Sequence, residues 1–289
     1  MKKTRTSSTL PILLLCALVL ALEANGRVLF YPTALKSSTN LLAQAKWRPP
    51  KKETCRAVPT KGGPFSADEP AWEIESLAPE SAYWRTYAHV KPGHSYLVGT
   101  WVKYANAKIL LWNYGTQVDG KPSNQRLYCF GGFQYYLTPY MSDELQRKLG
   151  GNPDEWRLLF RRLDYPVALK SDTLCLAMGI YMATGKMTMS APFLVDVTDA
   201  PDRSLTIDIV GEKPIRRLTV EHVGERDTIW QRDFPEPVAD FHAALSGVTD
   251  FGRGLDSANR IAGHALNVFY ADGTATKVFA PQENVFTQR

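Results

Sequence analysis

The sequence has little cysteine, no strong charge of either sign and none of the short motifs of common enzyme classes. Its 289 residues include four cysteines and five scattered histidines, and no two cysteines are close enough in sequence to form a zinc site. No nucleotide-binding glycine loop, G-x-S-x-G motif or H-E-x-x-H motif occurs. The net charge of +5 is spread along the chain, which excludes the basic footprint of a nucleic-acid-binding protein.

The composition favours a folded chain built from short strands. Hydrophobic residues make up 44% and charged residues 22%, so general disorder is excluded. Nineteen prolines and twenty glycines favour many turns, and apolar and polar residues alternate with a period of two. This pattern predicts an all-β chain with one clear helix at 142–149, while 154–163 is ambiguous between helix and strand. The predicted strands are 71–77, 83–90, 95–104, 108–114, 126–130, 172–183, 186–197, 204–210, 215–223, 228–233, 240–246, 265–270 and 275–279.

The first 26 residues have the three parts of a secretory signal peptide. Three basic residues lie among the first five, residues 11–22 form an apolar run, and small residues follow at 24 and 26. The apolar run is shorter than the roughly 20 residues that a membrane span needs. We therefore expect a signal peptide at 1–26, a loose leader at 27–39 and a mature chain without a transmembrane segment. The expected location is secreted, periplasmic or attached to the cell surface.

Three cysteines remain after removal of the signal peptide. They are Cys55, Cys129 and Cys175, an odd number for an oxidising compartment. Cys129 and Cys175 lie in apolar, strand-like runs that are able to face each other across a sheet, but spacing alone does not determine the pairing. Buried structural cysteine is favoured over a nucleophile at these positions.

A polar linker at 199–202 divides the mature chain. Before it, residues 40–198 are predicted to form one β-sandwich. After it, residues 203–289 contain six predicted short strands in about ninety residues, with an Asp-Gly hairpin turn at 272–273. This spacing is typical of an immunoglobulin-like sandwich, although the paired cysteines of true immunoglobulin domains are missing.

Several pieces of the first domain resemble one family. The chain has Asn-Leu-Leu at 40–42, a strand at 84–90, a Lys-Pro-Gly-His turn and a strand at 96–103 of the form Tyr-x-x-x-x-Trp-Val-Lys. With a last strand at 185–193, residues 40–197 resemble jelly-roll carbohydrate-binding modules with a galactose-binding-like fold. The resemblance implies a jelly roll, a glycan or another cell-surface ligand, and no cofactor beyond the structural calcium ion that such modules often hold.

Strand alternation selects the candidate ligand-binding residues. Aromatic residues interleaved with basic ones suit sugar recognition, because flat rings stack on pyranose rings while charged groups bind hydroxyls. The predicted exposed platform is Trp101, Trp112 and Tyr114. A second strand face has Tyr83, Arg85, Tyr87 and His89 opposite Trp84, Ala88 and Val90. The alternative for each aromatic residue is packing in the core.

Two other functions remain open at this point. A polysaccharide-acting enzyme, either lyase or glycosidase, would use the Tyr83–His89 face or the acid pair Glu73 and Glu75, which lies about 7 Å apart on one strand face. An envelope assembly or adhesion component would instead bind protein through exposed strands. We assign no catalytic residues, and the favoured interpretation is an exported, non-catalytic binding protein.

Overall fold

The computed structural model describes residues 26–105, 109–118, 121–128, 156–165, 172–199, 204–211, 213–222, 227–246 and 263–281. Residues 1–25, the predicted helix at 142–149 and Cys129 lie outside this part. The described strands are β1 (Arg27–Pro32), β2 (Cys55–Lys61), β3 (Pro70–His89), β4 (Ser95–Ala105), β5 (Ile109–Val118), β6 (Lys121–Tyr128), β7 (Arg157–Asp164), β8 (Thr173–Asp196), β9 (Leu205–Val210), β10 (Ile215–His222), β11 (Thr228–Val238), β12 (Phe241–Leu245), β13 (Gly263–Tyr270) and β14 (Ala275–Pro281). A single turn of helix, α1 (Ala34–Ser37), is too short to cross a membrane, and no other helix occurs in the described part.

Two long strands organise the first domain. β3 and β8 pair antiparallel from Ala71 with Ser190 to His89 with Thr173, and the register shifts where β3 passes from Ser76 to Ala82. β8 bends beside this irregularity, where Gly185 has a φ of 133°, a backbone conformation that glycine adopts without a Cβ penalty. The alternation predicted two separate strands within each of β3 and β8. Each is one strand, because the ladder between them resumes after the bend.

The bend folds these strands over a core. One layer contains β6, β5, the first half of β8 and the second half of β3; the other contains β2, the first half of β3, the second half of β8, β4 and β7. Buried Trp84 and Met178 from the first layer pack in one cluster with Ile74, Val98 and Met189 from the second. The predicted all-β chain with a jelly-roll β-sandwich is confirmed. The ambiguous segment at 154–163 forms strand β7.

The C-terminal strands form two further sheets, ordered β1-β9-β12 and β11-β10-β13-β14. The prediction of a loose leader at 27–39 is wrong, because residues 27–32 are strand β1 and pair with β9 from Arg27–Val210 to Pro32–Leu205. The physical reason is the apolar run Val-Leu-Phe-Tyr, which buries Phe30 and Tyr31 completely. The N-terminal strand thus completes a sheet with strands that lie beyond the linker.

A second hydrophobic cluster joins the two predicted domains. Along β4, even-numbered Tyr96 and Val98 face the jelly-roll core, whereas Leu97 and Trp101 belong to a cluster that also contains Ile207 of β9. We call this cluster the interdomain core. It covers the outer face of the β4–β7 layer, so that face is not available to a ligand.

The turn between β3 and β4 is tied to the end of β8. The His94 Nδ1 lies 2.7 Å from an Asp196 carboxylate oxygen. The other oxygen accepts hydrogen bonds from the Thr198 backbone N–H at 3.0 Å and the Thr198 hydroxyl at 2.6 Å. Burial alone would raise the pKa of the Asp196 carboxyl, but the hydrogen bonds from Thr198 and His94 hold it below its ordinary value.

This depressed pKa predicts a pH-dependent effect of Asp196→Asn. A carboxyl whose pKa is lower in the folded state stabilises the fold fully above its unfolded pKa of about 3.9, and this contribution is lost as the pH falls through the folded value. We expect Asp196→Asn to lower the thermal midpoint at pH 7 and the difference from wild type to shrink towards pH 2.5. Exposed Asp68 supplies the control variant Asp68→Asn, which should change the midpoint little. A constant difference for Asp196→Asn over this pH range would contradict the assignment.

Candidate functional site

The second half of β3 presents one open face. Tyr87 is 44% exposed, Arg85 and His89 are exposed, and Tyr83 is half-buried. The intervening residues Trp84, Thr86, Ala88 and Val90 are buried beneath them. The Trp84 indole donates a hydrogen bond to the Glu73 carbonyl oxygen at 3.1 Å, which fixes the strand on its core side. The alternation therefore places the polar and aromatic members of this segment towards solvent, as β geometry requires.

The sheet register brings the other predicted residues beside this face. β8 lies between β3 and β5, and each of its residues from 174 to 180 has a partner on both sides. The three rows across the sheet are Tyr83–Gly179–Leu110, Arg85–Ala177–Trp112 and Tyr87–Cys175–Tyr114. Five of the six predicted binding residues thus occupy three adjacent rows. For β5 the structure describes the backbone positions, and the side chains of Trp112 and Tyr114 lie outside the described part.

The middle strand forms a floor of small residues. Cys175, Ala177 and Gly179 are all buried, while the alternate residues of β8 point into the jelly-roll core. Because neighbouring strands are about 4.8 Å apart, β3 and β5 are separated by about 10 Å across this floor. We call the surface formed by the three rows the β3–β8–β5 face.

Gly179 is required by the close approach of β3. A Cβ atom built on Gly179 would lie 2.1 Å from the Ala82 carbonyl oxygen and 2.8 Å from the Tyr83 Cα. Both contacts are with backbone, so no side-chain movement relieves them. The position of Tyr83 at the edge of the floor therefore depends on the missing side chain of Gly179.

A basic edge segment extends the face beyond β3. Arg48 forms an isolated antiparallel bridge with Arg85, and the Thr86 hydroxyl donates to the Lys46 carbonyl oxygen at 3.1 Å. The Arg48 guanidinium lies 5.8 Å from the centroid of the Tyr87 ring, within the range of a cation–π contact. Sequence reasoning missed Arg48. The signal was Lys46-Trp47-Arg48, an apolar residue between two basic ones, which is the alternation of an edge strand.

Trp101 does not belong to this face, and its prediction as part of an exposed platform is wrong. The residue is only 1% exposed and lies in the interdomain core. Its ring makes edge contacts with Tyr31 at 6.3 Å and Phe65 at 5.7 Å between centroids. The alternation along β4 was predicted correctly. The outer face of that strand is covered by β1, the segment predicted to be a loose leader.

Two of the residues considered for the polysaccharide-acting enzyme, Glu73 and His89, lie beside residues of opposite charge. Glu73 makes an ion pair with Lys186 at 2.9 Å. His89 lies 3.9 Å from Asp172, and both side chains are largely exposed. No cluster of three or more metal-ligating side chains occurs among the described residues. Burial raises the pKa of the half-buried Cys55 thiol, which disfavours the reactive thiolate.

No protein-family model matches the chain, and no curated protein is similar to it at a significant level. Several solved structures share part of its fold. The xylan-binding CBM22-1 domain of Paenibacillus barcinonensis Xyn10C is 12% identical with a TM-score of 0.35, over 60% of this chain and 96% of that domain. TmCBM61, solved with β-1,4-galactotriose, is 13% identical with a TM-score of 0.31, over 55% of this chain and 99% of that one.

A bacteriophage CBA120 protein gives a further likeness. The enzymatically active domain of its tailspike protein 4 is 9% identical with a TM-score of 0.36, over 54% of this chain. The matched region spans only a fifth of that tailspike domain. At these scores the likenesses do not identify a ligand, and the function must be argued from the geometry of the β3–β8–β5 face.

Proposed function

We propose that the chain is a glycan-binding protein whose ligand lies on the β3–β8–β5 face. The observation that supports this proposal is the exposed ring of Tyr87 beside exposed Arg85 and half-buried Tyr83 on one face of β3. Tyrosine rings offer flat apolar surface to a pyranose ring, and their hydroxyl groups bind the sugar hydroxyls.

The remaining parts of the proposal rest on the sequence. The signal-like first 26 residues support export to a secreted, periplasmic or cell-surface location. The motifs at 40–42 and 84–103 support a galactose-binding-like module within the β-sandwich. We propose that the C-terminal sheets form an immunoglobulin-like unit that acts as spacer or docking module. Binding without catalysis is the favoured activity.

Tyr87→Ala is the most direct test of the face. Loss of the exposed ring is expected to weaken glycan binding about tenfold, because stacking area is lost while the fold is kept. A glycan array, run with and without calcium, identifies the glycan, and calorimetry then measures the affinity of each variant. The matched control is Phe269→Ala, which removes a 39% exposed aromatic ring from β13 in the C-terminal domain.

The outcomes separate the three functions. Equal weakening by both variants, or none by Tyr87→Ala, would contradict a ligand on this face. Release of shortened products from the bound glycan would favour the polysaccharide-acting enzyme, for which Tyr87 and His89 lie on the same open face. An empty array together with co-purification of one defined protein would favour the assembly or adhesion component.

A further inference from the structure

Two arginines lie directly opposite each other at the edge of the β3–β8–β5 face. The Arg48 N–H donates to the Arg85 carbonyl oxygen at 2.8 Å, and the Arg85 N–H donates to the Arg48 carbonyl oxygen at 2.9 Å. A pair joined by two such bonds has its Cα atoms about 5.5 Å apart and both side chains on the same side of the sheet. The register therefore places the two arginine side chains next to each other on the same face of the sheet.

No carboxylate neutralises this pair within the described residues. Two other basic side chains next to β3 do have acidic partners, Lys52 with Glu80 at 2.9 Å and Lys186 with Glu73 at 2.9 Å. In the part of the chain that the structure describes, no Asp or Glu oxygen lies within 4.0 Å of the Arg48 or Arg85 guanidinium. Like charges directly opposite each other on a sheet are destabilising, and arginine stays charged at any physiological pH. An anion bound between them would remove this repulsion.

The pair is held next to the stacking residues. Arg48 lies over the Tyr87 ring, and Arg85 is two residues from both Tyr83 and Tyr87 along β3. Exposed Lys46 precedes Arg48 by two residues and adds positive charge at the same edge. An acidic group on a sugar stacked against Tyr87 would therefore be within reach of the guanidinium groups.

We propose that the ligand of the β3–β8–β5 face is an anionic glycan, whose carboxylate or sulfate groups are bound by the Arg48–Arg85 pair. The planar guanidinium binds both kinds of group through paired N–H donors. This inference rests on the proposed glycan-binding function and adds the charge of the ligand to it.

The test compares charged glycans with neutral forms of the same backbone. The probes are polygalacturonate against its methyl ester, and dextran sulfate against dextran, measured by calorimetry with the purified protein. We expect at least one charged form to bind tenfold or more tightly than its neutral form, and this advantage to fall with added salt. Binding of polygalacturonate alone assigns carboxylate recognition, and binding of dextran sulfate alone assigns sulfate recognition.

Variants then locate the charge dependence. Arg48→Gln and Arg85→Gln are each expected to weaken binding of the charged form about tenfold, while the thermal midpoint stays unchanged or rises because the repulsion is relieved. The control is Arg56→Gln, which removes an exposed arginine from β2, outside the three rows. Equal affinity for charged and neutral forms, or equal effects of all three variants, would overturn the anionic ligand and leave glycan binding intact. Binding of no glycan on an array of neutral and acidic sugars would overturn both proposals.

Discussion

Replacing Trp101 with alanine is expected to lower the free energy of unfolding by about 3–5 kcal/mol, the range for a large aromatic residue removed from a core. The indole is 1% exposed and touches the rings of Tyr31 and Phe65, so its loss leaves a cavity between the two domains. Denaturant unfolding followed by circular dichroism measures the change.

A matched tryptophan variant serves as the control for this prediction. Trp230 is half-buried at the outer strand β11, 6.4 Å from the Phe241 ring, and Trp230→Ala should cost clearly less than Trp101→Ala. Under conditions in which Trp101→Ala is folded, the glycan affinity of this variant should remain near that of wild type. If Trp101→Ala kept its stability but lost glycan binding, the residue would belong to the ligand-binding platform. Its assignment to the interdomain core would then be wrong.

Gly179→Ala is expected to destabilise the protein by about 3 kcal/mol, at the upper end of the effect of an added methyl group in a packed interior. The new Cβ would meet the Ala82 carbonyl oxygen at 2.1 Å, so β3 would have to move away from β8. The ladder that positions Tyr83 and Arg85 would be displaced, and glycan affinity should fall with the stability. Thermal unfolding and calorimetry on the same sample follow both effects.

Gly211→Ala separates this clash from ordinary backbone strain. Gly211 has a φ of 61°, and the nearest atom to its added Cβ would be 3.8 Å away, at Gly26. The variant should therefore cost only about 1 kcal/mol, the penalty for an L-residue in the left-handed region, and leave binding unchanged. Equal losses for the two glycine variants would show that the approach of β3 to β8 is not as close as described.

Local alternation explains which parts of the fold were predictable from the sequence. The period-two pattern around Trp84 and Tyr87 depends only on neighbours along the strand, so it correctly divided the buried from the exposed residues of β3. The same pattern around Trp101 correctly separated two faces of β4, but it contains no information about which face another sheet covers. That choice depends on β1, whose partner strand is about 180 residues away.

The candidate site shows the same division. The shared face of Tyr83, Arg85 and Tyr87 was predictable because they alternate within one strand, whereas Arg48 was missed because its pairing with Arg85 exists only across the sheet. The alignment of Cys175, Ala177 and Gly179 between β3 and β5 was also not predicted. In the sequence they are indistinguishable from other small residues in an apolar run, and only the register with β3 and β5 gives them a role.

The pairing of β1 with β9 also determines the order in which this protein can be completed. Arg27 leaves the ribosome early, but its partner Val210 is synthesised only after the whole jelly roll. Until then the apolar strand β1 has no sheet to join, and closing so long a loop is entropically slow. A fragment that begins at the linker would lack this strand and expose the edge of β9, with buried Ile207 and Ile209 beside it. Completion of the β1-β9-β12 sheet therefore waits for the C-terminal strands.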